Sequence, residues 1–364
     1  MLYFYYIQGG VNMSDNKSHN RNYNLDLLRL LASFFVIVIH VAAYNWYDTS
    51  YDTFAFNIYN FFDSIVRSAV PIFVMISGVF FLSEKKQKNI KSIYLKNILK
   101  LIIVFLFWSL IYYIYNILVR NHSHDISSFI TSFISGPFHF WYIPMIIGLY
   151  IISPLLSKIV INSSKKLFKY LFIIFMVGCF IKTISFCSFL PRFDYINLVI
   201  NKLPIDIICQ FYSYFILGYF LYNYDISKNR KKVIYILGIM SVLACTILTF
   251  LASKYSNCNF ISFYNNFSIF TFFESIALFL FYKNRHFISE KIYSEKVSHL
   301  SSCTLGIYLI HVVVMYTLFD FNMINITDFN PILSIPVISV IIFLISLLIV
   351  LVIKKIPFIG KYFL

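Results

Sequence analysis

Arg29 and His40 stand eleven positions apart within one apolar stretch, LDLLRLLASFFVIVIHVAAY. At about 100° per residue, eleven steps return to the same helix face about 16 Å further along the axis. A permanent positive charge and a titratable base therefore share one stripe. Arginine suits phosphate or carboxylate recognition, and a neutral imidazole takes a proton near ambient pH, which lysine and arginine do not. Ionisable groups inside a membrane span are costly, so the pair marks a functional site, with one group near each side of the bilayer.

Composition supplies the membrane. Of the 364 residues 60% are hydrophobic and only 12% charged, and apolar runs recur along the whole length. The expected fold class is all-α, a polytopic membrane protein of about ten spans, near 26–44, 57–82, 93–119, 138–157, 167–187, 205–222, 233–252, 267–282, 303–319 and 331–353. With the N-terminus inside, 24 of the 30 Lys and Arg fall in inside segments, and the outer loops hold four, Arg120, Arg192, Lys202 and Lys254. An even span number then puts both termini in the cytoplasm. The formal net charge of +15 is read as this topological bias, so no nucleic-acid site is inferred from it. The expected organisation is a cytoplasmic tail over 1–24, a membrane domain over 25–354 and a short cytoplasmic tail over 355–364. No removable signal peptide is expected, the first span serving as insertion signal. The native start is expected at Met13, because Gly9 and Gly10 fit a translated ribosome-binding site.

Further groups fall on other spans. In DSIVRSAVPIFVMISGVFFL, Asp63 and Arg67 lie one turn apart and Ser77 and Gly78 are small. These residues either hold a polar cavity open or form a structural ion pair with a kink and a close helix contact. His139, Trp141 and Tyr142 open the fourth span at the outer interface, the ordinary place for an aromatic belt. His311 falls about halfway through the ninth span, either as a functional group or as a core histidine bonded to another helix. Glu274 lies at similar depth and is expected to pair with a histidine or arginine. Lys96 and Lys100 share a face at the start of the third span, after Lys85, Lys86, Lys88 and Lys91, which read as topological charge. The six cysteines are scattered and read as core thiols. No metal is expected, since no two ligands stand at ligand spacing on one helix; His122 and His124 in an outer loop give only a weak signal.

Five elements in order resemble the integral membrane acyltransferase family 3, whose members include bacterial O-acetyltransferases of surface polysaccharide, peptidoglycan and lipid-linked sugars. They are the Arg29 to His40 spacing, VPIFVMISG around Ser77, the basic opening of span three running into FLFWSLIYY, FWYIPMIIGLYIISPLL, and TLGIYLIH ending at His311. The chain departs from the family in having Lys96 and Lys100 where arginines are frequent, and it shows no extracytoplasmic hydrolase-like domain. Final transfer is therefore expected at the membrane domain itself or through another protein.

The resemblance implies an O-acyltransferase that moves an acyl group, in the first instance acetyl, from cytoplasmic acyl-CoA to a hydroxyl of an extracytoplasmic or lipid-linked glycan. No bound cofactor is implied; acetyl-CoA or another acyl-CoA is the donor substrate. Arg29, Lys96 and Lys100 would hold the donor, and His40 would be the general base or a transient acyl carrier. Arg67, Ser77, Trp141, Glu274 and His311 would shape the tunnel or acceptor site. Expected partners are membrane lipid, the glycan acceptor and polysaccharide-assembly proteins. The bias toward Phe, Tyr, Ile, Asn and Lys fits an AT-rich bacterial genome, hence a bacterial cytoplasmic membrane. A transporter or flippase of a glycan or lipid-linked sugar is the competing reading, since internal charges can also line a pathway.

Overall fold

The computed structural model describes residues 23–87, 89–121, 125–285 and 291–364. Met13, His122 and His124 lie outside the described residues. Among those described there is no strand. The longer helices are α1 (Tyr23–Tyr44), α2 (Phe54–Ile65), α3 (Ala69–Phe81), α4 (Leu99–Arg120), α5 (Tyr142–Ile161), α6 (Lys165–Ser185), α7 (Phe211–Asn223), α8 (Lys228–Ser256), α9 (Ile269–Asn284), α10 (Lys291–Ser301), α11 (Thr304–Asp320) and α12 (Pro331–Lys355).

Each of the ten apolar stretches is helical, but not each is long enough to cross a bilayer. Seven helices, or continuous helix pairs, have the length and apolarity of a span, and an eighth results if α10 and α11, bent by 56°, count as one. By this measure seven or eight helices meet the length of a full span, against the ten expected. The difference lies in α7 and α9, of 13 and 16 residues, which at 1.5 Å per residue reach only about 20 and 24 Å. Hydropathy registers them as spans because they are apolar all round. They are apolar because they are interior helices, with Tyr214, Phe215, Phe220, Phe272 and Phe279 fully buried.

Close packing of α7 depends on two glycines. A Cβ on Gly78 of α3 would fall 1.8 Å from the Phe215 carbonyl oxygen, and one on Gly218 of α7 would fall 2.1 Å from that of Met75. Backbone meets backbone where these helices cross, the arrangement small residues permit when lipid supplies no hydrophobic drive. The close-contact reading of Gly78 is the one the structure bears out.

The second span is broken at 66–68, and the break places both Arg67 and a partner for Glu274. Ser68 caps α3 without a side-chain bond of its own. Instead Glu274 accepts from the Ser68 N–H at 3.3 Å and from its hydroxyl at 2.7 Å. Glu274 was expected to bond a histidine or arginine; its hydrogen bonds go to this helix start. An interrupted helix in a bilayer exposes N–H groups that have no water to turn to, and a carboxylate at the positive helix end meets that need.

The Gly218→Leu protein should melt earlier by the equivalent of about 1–3 kcal/mol or more, whereas Gly148→Ala, where nothing lies within 4 Å of the added carbon, should match or slightly exceed wild type. Thermal unfolding of both in detergent, against wild type, checks this.

Candidate active site

At the Arg29 end of α1, positive charge gathers around aromatic rings. Arg29 Nη1 lies 3.8 Å from Asp26 Oδ1, whose carboxylate also accepts from Ser301 Oγ at 3.0 Å. The guanidinium stands 5.5 Å from the Phe80 ring and near Tyr142 and Tyr150, which also lie close to Ser77. Phe81 stacks on Tyr150 at 3.6 Å, and the Lys86 ammonium sits 4.8 Å from the Phe81 ring while donating to Asn97 Oδ1 at 2.9 Å. Burial, and next the nearby Lys96 ammonium, push Lys86 below the ordinary lysine range. Lys86 therefore belongs with Arg29, Ser77 and Lys96, although within a run of loop lysines nothing in the sequence set it apart. Lys100 neighbours Lys354, which donates to the Ser302 carbonyl at 3.0 Å and hydroxyl at 2.8 Å.

Rings continue from this end toward His40. Tyr142 meets Tyr308 at 5.8 Å between centroids, and Tyr308 meets His139 at 5.7 Å and His311 at 6.1 Å. His311 lies 5.2 Å from His40 and 5.3 Å from His139, and His40 lies 6.1 Å from His139. Three imidazoles from three parts of the chain thus face one another.

His139 is where the structure departs most from the sequence reading. Expected at the outer interface, it is 2% exposed. The segment Phe138–Trp141 is a 3₁₀ turn, and with three residues per turn positions 138 and 141 share one side. Phe138 and Trp141 accordingly face out, while His139 and Phe140 face in. Trp141, expected to shape the tunnel or acceptor site, is exposed and lies against Phe211, 5.7 Å away, and is not among the walls of the cavity beside His40.

Hydrogen-bond accounting fixes two tautomers. His311 Nδ1 lies 2.7 Å from the Tyr308 carbonyl and 3.2 Å from that of Ile307; carbonyls only accept, so Nδ1 carries the proton and Nε2 the lone pair. Tyr112 donates to the Leu309 carbonyl at 2.9 Å, so toward His139 Nε2, 3.4 Å away, it can only accept, leaving the lone pair on Nδ1. His311 Nε2 and His139 Nδ1 are both buried without a partner.

His40 also lines a cavity of about 500 Å³ with Trp46, Tyr47, Asp63, Arg67, Phe186, Tyr264 and Asn265 among its walls. Arg67 is ion-paired with Asp63 and lies 4.3 Å from the Tyr264 ring, whose hydroxyl donates to Asn60 Oδ1 at 2.6 Å. Both readings of the Asp63–Arg67 pair therefore hold: it is an ion pair and it lines a polar cavity. Trp46 Nε1, Asp63 Oδ1 and Arg67 Nε are buried and unpartnered there. A larger cavity of about 720 Å³ nearby, lined by Phe180, Leu248, Leu251 and others, has no histidine or carboxylate on its walls. Among the described residues no group of three or more His, Cys, Asp or Glu is placed to hold a metal ion.

A family model for an acyltransferase domain, acyltransferase 3, matches residues 22–351. The chain belongs to this acyltransferase family. Neither a curated protein nor a solved structure matches it significantly. The helical architecture and the family together make it a membrane acyltransferase, and the match begins and ends close to the helical core that holds Arg29, His40, His139 and His311.

His139→Ala should lower the acyl-transfer rate at least about tenfold, while Trp141→Ala should leave it within about twofold of wild type, since Trp141 touches neither the imidazoles nor the cavity; product formation by the two purified variants checks the contrast.

Proposed function

We propose that this acyltransferase moves an acyl group, in the first instance acetyl, from cytoplasmic acyl-CoA to a hydroxyl of an extracytoplasmic or lipid-linked glycan at a bacterial cytoplasmic membrane. The observation that carries the reading is the two-ended stripe on α1. One end is a cationic, aromatic-lined cluster of Arg29, Lys86 and Lys96, and the other opens through His40 on a polar cavity. The excess of Lys and Arg in alternate loops supports placing the Arg29 end inside.

A polyanionic nucleotide thioester suits the first end. Guanidinium and ammonium groups bind phosphate through charge-assisted hydrogen bonds, which is the chemistry Arg29, Lys86 and Lys96 bring to this end. The second end suits a sugar. Trp46, Tyr47, Tyr264 and Phe186 offer aromatic faces, and Trp46 Nε1, Asp63 Oδ1 and Arg67 Nε offer one donor, one acceptor and another donor with no internal partner. A buried polar atom without a partner costs free energy that an incoming hydroxylated ligand recovers. His40 on the wall of that cavity takes the proton of the attacking hydroxyl, which makes the oxygen nucleophilic toward the acyl carbon.

Free CoA release by protein in lipid, with acetyl-CoA and an envelope-glycan extract, should require His40; folded His40→Ala should show about 10²-fold slower release or less. Wild type that consumes no acyl-CoA of any common chain would instead favour glycan transport. Arg29→Ala should raise the donor KM and Trp46→Phe the acceptor KM, each with the other constant little changed. Because Lys86 sheds its proton below the ordinary lysine range, acyl-CoA affinity should fall as pH rises through that lower range, the cation being lost. Lys86→Met should bind more weakly and lose this part of the pH dependence, as calorimetric titration across pH would record.

A further inference from the structure

His311 is set up differently from His40, and the difference has chemical content. Its Nδ1–H is held by two backbone carbonyls, at 2.7 and 3.2 Å, so the ring is locked in one tautomer and one orientation. Its Nε2 lone pair is buried and bonded to nothing. A partner that fixes the N–H of an imidazole leaves the opposite nitrogen ready as nucleophile or base, the role an orienting acceptor has in acyl-transfer sites generally. Position separates the two rings as well. His40 lines the acceptor cavity, whereas His311 is absent from its walls and 1% exposed. On the path of rings from Arg29, through Tyr142 and Tyr308, His139 and His311 are met at 5.7 and 6.1 Å from Tyr308, and His40 lies 5.2 Å beyond His311. An onward proton relay through His311 would need Nδ1 to face another titratable group, but Nδ1 faces carbonyls only. The single active nitrogen fits a nucleophile.

We infer that His311 Nε2 is the acyl carrier and that transfer proceeds in two displacements, His311 receiving the acyl group from the donor side and His40 serving the acceptor side; this rests on the acyl-CoA reading given above. In the first displacement the Nε2 lone pair attacks the thioester carbonyl carbon, the N–C bond forms and the C–S bond breaks. CoA leaves as thiolate and takes a proton from water at the donor end. The acyl-imidazolium keeps its Nδ1–H on the Tyr308 carbonyl. In the second, the acceptor hydroxyl oxygen attacks the same carbon while His40 takes its proton, the O–C bond forms, the N–C bond breaks and His311 returns to its neutral tautomer. His40 passes its proton to water in the cavity. The sum is thioester plus alcohol giving ester plus thiol.

The test is rapid-quench labelling of purified full-length protein in nanodiscs with carbonyl-labelled acetyl-CoA and no acceptor. Wild type and His40→Ala should each release a burst of CoA equivalent to the protein present and carry hydroxylamine-labile label on the peptide containing His311. His311→Ala should show neither burst nor label. With acceptor varied, steady-state double-reciprocal plots for wild type should be parallel. Label elsewhere than His311, label that survives His311→Ala, or turnover by wild type with intersecting plots and no labelled protein would overturn the inference in favour of direct transfer. Wild-type kinetics decide the matter even if His311→Ala fails to fold. Absence of any acyl-CoA consumption by folded wild type would instead sink the acyl-CoA reading on which the inference rests.

Discussion

A polar atom in the hydrocarbon core of a bilayer must find its hydrogen-bond partner inside the protein, and this single requirement organises the molecule. It explains why Glu274 caps the interrupted second span through Ser68, why Asn60 is tied to both Tyr264 and the Thr246 carbonyl, and why Lys354 is clasped by Ser302. Against that background the exceptions cluster. Among the buried side-chain atoms left without a partner, those of Trp46, Asp63, Arg67, His139 and His311 meet around one cavity and one group of imidazoles. Most of the others are isolated hydroxyls. Unmet polarity concentrated in one place is what a site that binds a polar reactant requires.

Packing serves that concentration. The crossing of α3 and α7 at Gly78 and Gly218 brings two helices into backbone contact, and α3 carries Ser77 on the adjacent residue, close to Tyr142 and Tyr150. The break between α2 and α3 turns Arg67 onto Asp63 and Tyr264. A continuous helix through residues 66–68 would leave Ser68 bonded within its own helix and remove the need for Glu274. The interruption costs backbone hydrogen bonds, and Glu274 together with the cavity-facing ion pair offsets that cost locally. Short interior helices such as α7 and α9 fill the space that longer spans surround.

How much of this was legible in the sequence follows from the range of the physics involved. Arg29 and His40 could be placed together because one helix relates them, and helix geometry is local. His311 could be placed at mid-depth from its distance to the ends of its apolar run. The burial of His139 could not be read, because Phe138, Phe140 and Trp141 beside it are all apolar, and hydropathy does not tell which side of the short turn meets protein. The partner of Glu274 is 206 residues away, a separation no periodicity spans. Hydropathy gives no sign that α7 and α9 are short and interior for a related reason: apolarity measures what surrounds a helix, whether lipid or protein, and these two pack among protein.

The distance between Arg29 and His40 sets a further constraint on any chemistry here. About 16 Å of helix separates them, so no compact reactant bridges both, and whatever Arg29 holds must project a long arm toward the imidazoles or be released from the cationic end first. The rings between them, Tyr142, Tyr150 and Tyr308 with Ser77, are aromatic and hydroxylated without a full charge. Such rings suit a slender amide-and-thioether chain better than a phosphate, since an anion would have to leave its cations for surroundings of low dielectric. Charge placement therefore orders the helical core, from the cations around Arg29 through neutral rings to the imidazoles and the polar cavity beside His40.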